Sequence, residues 1–208
     1  MDQVWKYYST LPDVIEADER FCDRTRLFQD IGRLLAEHGN EFGLCLVHRH
    51  CTLEEGEIML SENGVSQPVQ ASLAADCYAE RWLPSGQPFE FSSQSTETPS
   101  AALFSQFRAL VGDDSSLGLY YAPQSSESEE MKRLLEWTEG RKNLTRQMTS
   151  DDIDLDTVET AWRCRAGGDY PQPVMDCQVQ LGDIAFAALM FIVGVIKWPE
   201  EAYSSGKL

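Results

Sequence analysis

The spacing of apolar residues changes several times along the chain, and each change marks a predicted element. Leu27, Phe28, Ile31, Leu34 and Leu35 recur at i, i+1, i+4, i+7 and i+8, one apolar stripe on a 3.6-residue period. That pattern predicts an amphipathic helix starting as early as Pro12-Asp13 and stopped by Gly39, since glycine adopts the left-handed conformation that ends helices. The Asp, Glu and Arg residues between Glu16 and Arg26 give it a solvated outer face.

Strand spacing follows. Phe42 to His50 and Glu57 to Ser61 are strand-like, and Asn63-Gly64 predicts a type I′ hairpin, because both central positions need positive φ. The register then sets Glu62 opposite Val65, Leu60 opposite Gln67 and Ile58 opposite Val69. Pro68 cannot donate to a ladder, so the returning strand should be an edge or bulged there. Downstream, Leu73 to Trp82 reads as helical and Pro88 to Ser92 as a short strand. Thr98 and Pro99 open a helix that Gly112 closes. Leu117 to Ala122 reads as a strand, and Met131, Leu134, Leu135 and Thr138 as a helix face stopped by Gly140. Val158 to Cys164 and Pro173 to Leu181 read as two strands. Hairpin-like strands with helices between them predict an α+β protein: a mainly antiparallel sheet built from hairpins and packed against three or four helices, in a single domain over 1–208.

Composition narrows the partners. The chain has 34 acidic and 17 basic residues, a formal charge of −17. Phosphate neutralisation and docking on anionic lipid both need a basic surface, so nucleic acid and membrane are excluded as expected partners. A small-molecule ligand or a basic protein partner remains. The acidic segments Asp113-Asp114, Ser125 to Glu130 and Asp151 to Asp156 read as solvated loops, with a docking surface for such a partner as the alternative; they lack EF-hand spacing, so calcium is not indicated. The N-terminus has no apolar core of signal-peptide length, and the six cysteines form no CxxC pair. Both point to free thiols and a cytoplasmic protein. The closing Ser205-Gly206-Lys207-Leu208 is loosely like a peroxisomal address, a lesser alternative. The apolar run Ile184 to Ile196 is shorter than the ~17–25 residues of a membrane span. It reads as a core element, with membrane association as the alternative.

Candidate chemistry gathers at His48 and His50. On a strand these share one face about 7 Å apart, and a carboxylate on the next strand would complete a facial site for a divalent transition metal. Glu57 is the carboxylate best placed, provided it lies opposite His50. The same three residues also suit acid–base work near neutral pH. Cys51 is a candidate nucleophile if Arg49 or a protonated histidine lowers its pKa. The competing structural reading is a half-buried strand end whose imidazoles hydrogen-bond to backbone or to Glu54, Glu55 and Glu57. Gly43, His48, His50, Glu54 or Glu55, and Gly64 resemble in their spacing the first cupin motif. No histidine follows His50, so the three-histidine set that such a resemblance implies cannot be completed within one chain. Two functions follow as expectations. One is a small-molecule enzyme or binding protein with a pocket beside this strand; the other is a non-catalytic, acidic protein–protein interaction module.

Overall fold

A computed structural model describes residues 3–21, 24–74, 76–112, 116–123, 133–153, 155–164 and 173–181. Three helices come first: α1 (Val4–Tyr8), α2 (Val14–Arg20) and α3 (Arg24–Glu37). Strands β1 (Phe42–Leu46), β2 (Glu57–Glu62), β3 (Val65–Gln70), β4 (Tyr78–Trp82) and β5 (Pro88–Ser92) follow. Helix α4 (Ala101–Val111) precedes β6 (Leu117–Tyr121), β7 (Leu134–Glu139), β8 (Lys142–Gln147), β9 (Thr157–Cys164) and β10 (Pro173–Gln180). A 3₁₀ turn, Ser150–Asp152, lies between β8 and β9.

The sheet is not an open α+β layer. It closes as a ten-stranded barrel in the order β1-β6-β4-β5-β2-β3-β8-β7-β10-β9, with β9 pairing back to β1. Neighbours are antiparallel except β2–β5 and β7–β10, which are parallel. Two segments expected as helices are strands here. Residues 78–82 form β4, held between β5 and β6, and residues 134–139 form β7, held between β8 and β10. Each has apolar residues that satisfy a helical period locally, but pairing along both edges supplies more backbone hydrogen bonding and burial than an isolated helix would. Tertiary context overrides weak propensity in this way.

Other elements keep their expected places. The β2–β3 hairpin has the expected register, Glu62↔Val65, Leu60↔Gln67 and Ile58↔Val69, around Asn63 at φ 51° and Gly64 at φ 78°. On its other side β3 pairs with β8 only at Val65 and Ser66, so the ladder ends before Pro68 would have to donate. Helix α4 begins two residues later than expected, with Ser100 as the cap accepting from Leu103 N–H. The long N-terminal helix is two helices, α2 and α3, separated around Phe21. The run 184–196, the terminal tetrapeptide and the acidic stretches 113–114 and 125–130 lie outside the described residues. Among the described residues no helix is long and apolar enough to cross a membrane.

The barrel has two apolar faces. Outside, Phe42, Leu44, Leu46, Trp82, Leu117, Leu119 and Trp162 pack against Ala17, Ile31, Leu34, Leu35, Leu103 and Phe107 of α2–α4. Inside, Cys45, Val47, Met59, Phe89, Tyr120, Ala122, Ala161 and Cys177 share a cluster with Tyr8, Leu11 and Leu53. β1 ends at the same end of the barrel where β2, β5 and β8 begin. At that end the 47–56 connection and residues 7–12 close the barrel together. Arg49 N–H donates to Pro12 O at 2.9 Å and Leu53 N–H donates to Ser9 Oγ at 3.0 Å. The Tyr7 hydroxyl donates to Pro88 O, and the Arg49 guanidinium to Leu11 O.

A candidate metal centre inside one end of the barrel

The site begins where β1 stops. Beyond Leu46 the chain leaves its ladder, with Val47 N–H bonding to Ser116 O at 2.6 Å, and turns into the barrel end carrying His48 and His50. The two imidazoles therefore do not ride a strand about 7 Å apart. Their rings meet edge to face with centroids 4.7 Å apart. His48 is 2% exposed and the His50 side chain likewise 2%.

Charged residues on surrounding strands reach the same interior. Arg81 on β4 bridges Glu90 of β5 (Nε to Oε2, 3.1 Å) and Glu136 of β7 (Nη2 to Oε1, 3.3 Å). β4 and β7 stand five places apart in the ten-strand ring, so the Arg81–Glu136 pair spans the lumen. Glu90 and Glu136 are each 3% exposed. Carboxylates buried this deeply persist only with partners. Arg81 supplies one positive charge between two negative groups.

Burial pushes both histidines down to about 4, with the neighbouring His50 adding to the effect on His48. They are neutral at physiological pH, the form that coordinates metals. Burial would raise the Glu136 carboxyl, but Arg81, followed by the histidines, outweighs it and brings it down to about 2. Burial raises the Glu90 carboxyl despite Arg81.

Hydrogen bonding leaves donor atoms over. His48 Nδ1 lies 2.9 Å from Leu46 O; a carbonyl can only accept, so Nδ1 carries the proton and Nε2 keeps its lone pair. His48 Nε2, His50 Nε2 and Glu136 Oε2 are buried without a hydrogen-bond partner. Ligand atoms of these three residues lie mutually within 4.8 Å. Three atoms at that limit would stand about 2.8 Å from a common centre, so an inward shift of roughly 0.7 Å reaches the ~2.0–2.1 Å of a metal–nitrogen bond. Two imidazoles and one carboxylate form a facial donor set suited to divalent Zn, Fe, Co or Mn.

Glu57 and Cys51 lie elsewhere. β1 pairs with β6 and β9 rather than β2, so no register sets Glu57 opposite His50. Glu57 instead binds Arg141 of the β7–β8 turn, with Nη2 to Oε2 at 2.5 Å, and accepts from Glu54 N–H at 2.7 Å. The arginine and the backbone N–H outweigh burial and lower its carboxyl. Cys51 is half-buried, and burial raises its thiol despite the nearby Arg141. It is held as a thiol at neutral pH, which disfavours nucleophilic work. Among the described residues, Cys45, Cys51 and Cys177 are free thiols. His38, on the outer surface, donates from Nε2 to Gln106 Oε1 at 2.8 Å.

Glu136, Glu90 and Arg81 were missed from the sequence, although a signal was present. Glu90 stands between Phe89 and Phe91, and Glu136 follows Leu134-Leu135. A lone carboxylate inside an apolar strand suggests a buried role, but a helical reading of 131–138 hid that alternation around Glu136. No family model matches this chain, and neither a curated protein nor a solved structure matches it, so the chemistry of the barrel end carries the functional reading.

Proposed function

We propose that the protein binds one divalent transition-metal ion inside its barrel, with His48, His50 and Glu136 as ligands. The observation that carries this is that His48, His50 and Glu136 offer ligand atoms mutually within 4.8 Å and that each also has a buried side-chain atom without a hydrogen-bond partner. Native interiors rarely leave one such atom unsatisfied, because each costs about 1–3 kcal/mol. A cation would satisfy all three. It would also balance the charge, since Glu90 and Glu136 together outweigh Arg81.

Burial narrows the ligand. With His48, Glu90 and Glu136 each at most 3% exposed, the centre suits an ion with a water-sized co-ligand rather than an organic molecule. This reading stays with the divalent metal expected at His48 and His50 and takes Glu136 in place of Glu57 as the carboxylate. Any catalysis would be chemistry at the ion, whose facial ligand set leaves positions open.

The test is metal content and affinity of the purified full chain. Wild type should bind close to one equivalent of Zn²⁺ or Co²⁺ by elemental analysis and calorimetry. His48→Ala with His50→Ala, and separately Glu136→Gln, should abolish stoichiometric binding while circular dichroism stays native. Glu57→Gln should bind like wild type. Equal binding by wild type and Glu136→Gln would remove Glu136 from the site, and loss in Glu57→Gln alone would favour the other carboxylate.

A further inference from the structure

Glu90 is held in a way that Glu136 alone does not explain. Arg81 takes one oxygen from each carboxylate, Oε2 of Glu90 and Oε1 of Glu136. The other two oxygens are Oε1 of Glu90 and Oε2 of Glu136. Glu136 Oε2 is unpartnered. Glu90 Oε1 lies 3.5 Å from His50 Nε2 and accepts from the Tyr8 hydroxyl at 3.3 Å. Two donors on one tetrahedral ion with bonds near 2.1 Å stand about 3.4 Å apart, so the Glu90–His50 spacing is already that of two ligands sharing an ion. Tyr8 is 0% exposed and its oxygen also accepts from His50 N–H at 3.1 Å. One phenol thus ties the backbone of one candidate ligand to the carboxylate of its neighbour.

Resting on the metal reading above, we infer that Glu90 is the fourth ligand of the ion and that Tyr8 is its positioning residue. The set becomes two imidazoles and two carboxylates, nitrogen and oxygen donors with no thiolate, which selects Zn²⁺, Co²⁺, Fe²⁺ or Mn²⁺ over Cu⁺. Glu90 stands outside the three residues whose ligand atoms already lie within 4.8 Å of one another, so its carboxylate must move toward that group on loading. Because Tyr8 belongs to the N-terminal segment that closes this barrel end, that segment contributes directly to the ion's surroundings. A hydrogen bond to a ligand carboxylate orients it and strengthens metal binding.

Cobalt(II) titration of the full-length chain, followed in the visible region, tests this. Wild type should give the intense bands of four-coordinate cobalt. Glu90→Gln should lower cobalt affinity by at least about 10-fold and weaken those bands as water replaces the carboxylate, and Tyr8→Phe should lower affinity about 10-fold with a smaller spectral change. Glu90→Asp, which keeps the charge but shortens the reach, should shift the bands and serves if Glu90→Gln fails to fold. Cobalt spectra identical to wild type in the folded Glu90 variants would overturn the fourth ligand while leaving the three-residue site standing. A wild-type spectrum unchanged in Tyr8→Phe would remove Tyr8 from the set. Wild type that binds no cobalt would sink both readings.

Discussion

Replacing Arg81 with methionine is the sharpest perturbation of the barrel interior. Methionine keeps most of the side-chain volume and removes the guanidinium, so the loss is chiefly electrostatic. In wild type the Arg81 side chain is 14% exposed and those of Glu90 and Glu136 are 4% each. Surface ion pairs contribute only about 0–1 kcal/mol, but stripping the partner from a buried pair costs about 3–5 kcal/mol, because a charge is left uncompensated in the interior. Here one substitution strands two carboxylates, on strands four places apart in the ten-strand ring. The expected loss is therefore at the upper end of that range, about 5 kcal/mol, a fall in Tm of roughly 10–20 °C at about 2–4 °C per kcal/mol for a chain of this size. The assay is urea and thermal unfolding of both proteins in chelator, repeated with saturating Zn²⁺. An ion present at about 100 times its Kd adds about 2.7 kcal/mol to a protein that binds it only when folded. Zn²⁺ should stabilise Arg81→Met more than wild type, since the ion then replaces the missing charge. A loss in chelator below about 1 kcal/mol would refute the reasoning, because the two carboxylates could not then be buried together in a closed lumen.

Three further outcomes follow from the packing. Gly43→Ala would bring a Cβ within 2.3 Å of Tyr120 Cε1 and 2.7 Å of Trp162 O. It should cost about 1–3 kcal/mol through overpacking and dislodge the Tyr120 hydroxyl from Asp176, to which it donates at 2.5 Å; a stability equal to wild type in urea would count against the β1–β6–β9 contact. Gly64→Ala sets a side chain at φ 78° with Thr145 O 3.0 Å away, which should cost about 1–3 kcal/mol by chemical denaturation, and no loss would show that the turn has another conformation. Glu57 tests the acid limb of stability. Its folded carboxyl lies below the ordinary value, so its contribution is present above the usual carboxylate range and disappears as pH falls through the folded value. Arg141, 43% exposed, limits that contribution to about 1 kcal/mol, and Arg141→Met should show a correspondingly shallower acid limb in unfolding midpoints between pH 6 and pH 3. Superimposable limbs would remove the pair as a contributor.

Local elements were legible where one short-range rule dominated. Asn63-Gly64 defined its hairpin and register because positive φ is a property of those two residues. The α4 stripe, capped by Ser100 and ended by Gly112, was legible for the same reason, within a two-residue shift of its start. Residues 78–82 and 134–139 were not, since their apolar spacing fits a helix or a strand equally and only their barrel neighbours decide. The candidate site divides in the same way. His48 and His50 were found because histidine is scarce in this chain and only one residue separates the pair. Glu136 was not, for it lies 86 positions beyond His50 and reaches it only across the lumen.

By itself, then, the sequence determined the net acidic charge and, as properties of residues within a turn or two of each other, the β2–β3 hairpin, the amphipathic stripe of α3 and the pair of imidazoles. Closure of the sheet, the parallel β2–β5 and β7–β10 contacts, and the choice of Glu136 over Glu57 as the carboxylate beside the histidines were decided by the tertiary structure. The physical reason is that strand pairing and burial are non-local. A carboxylate's partner depends on which strand lies opposite it in a closed ring, and spacing along one segment carries no information about that.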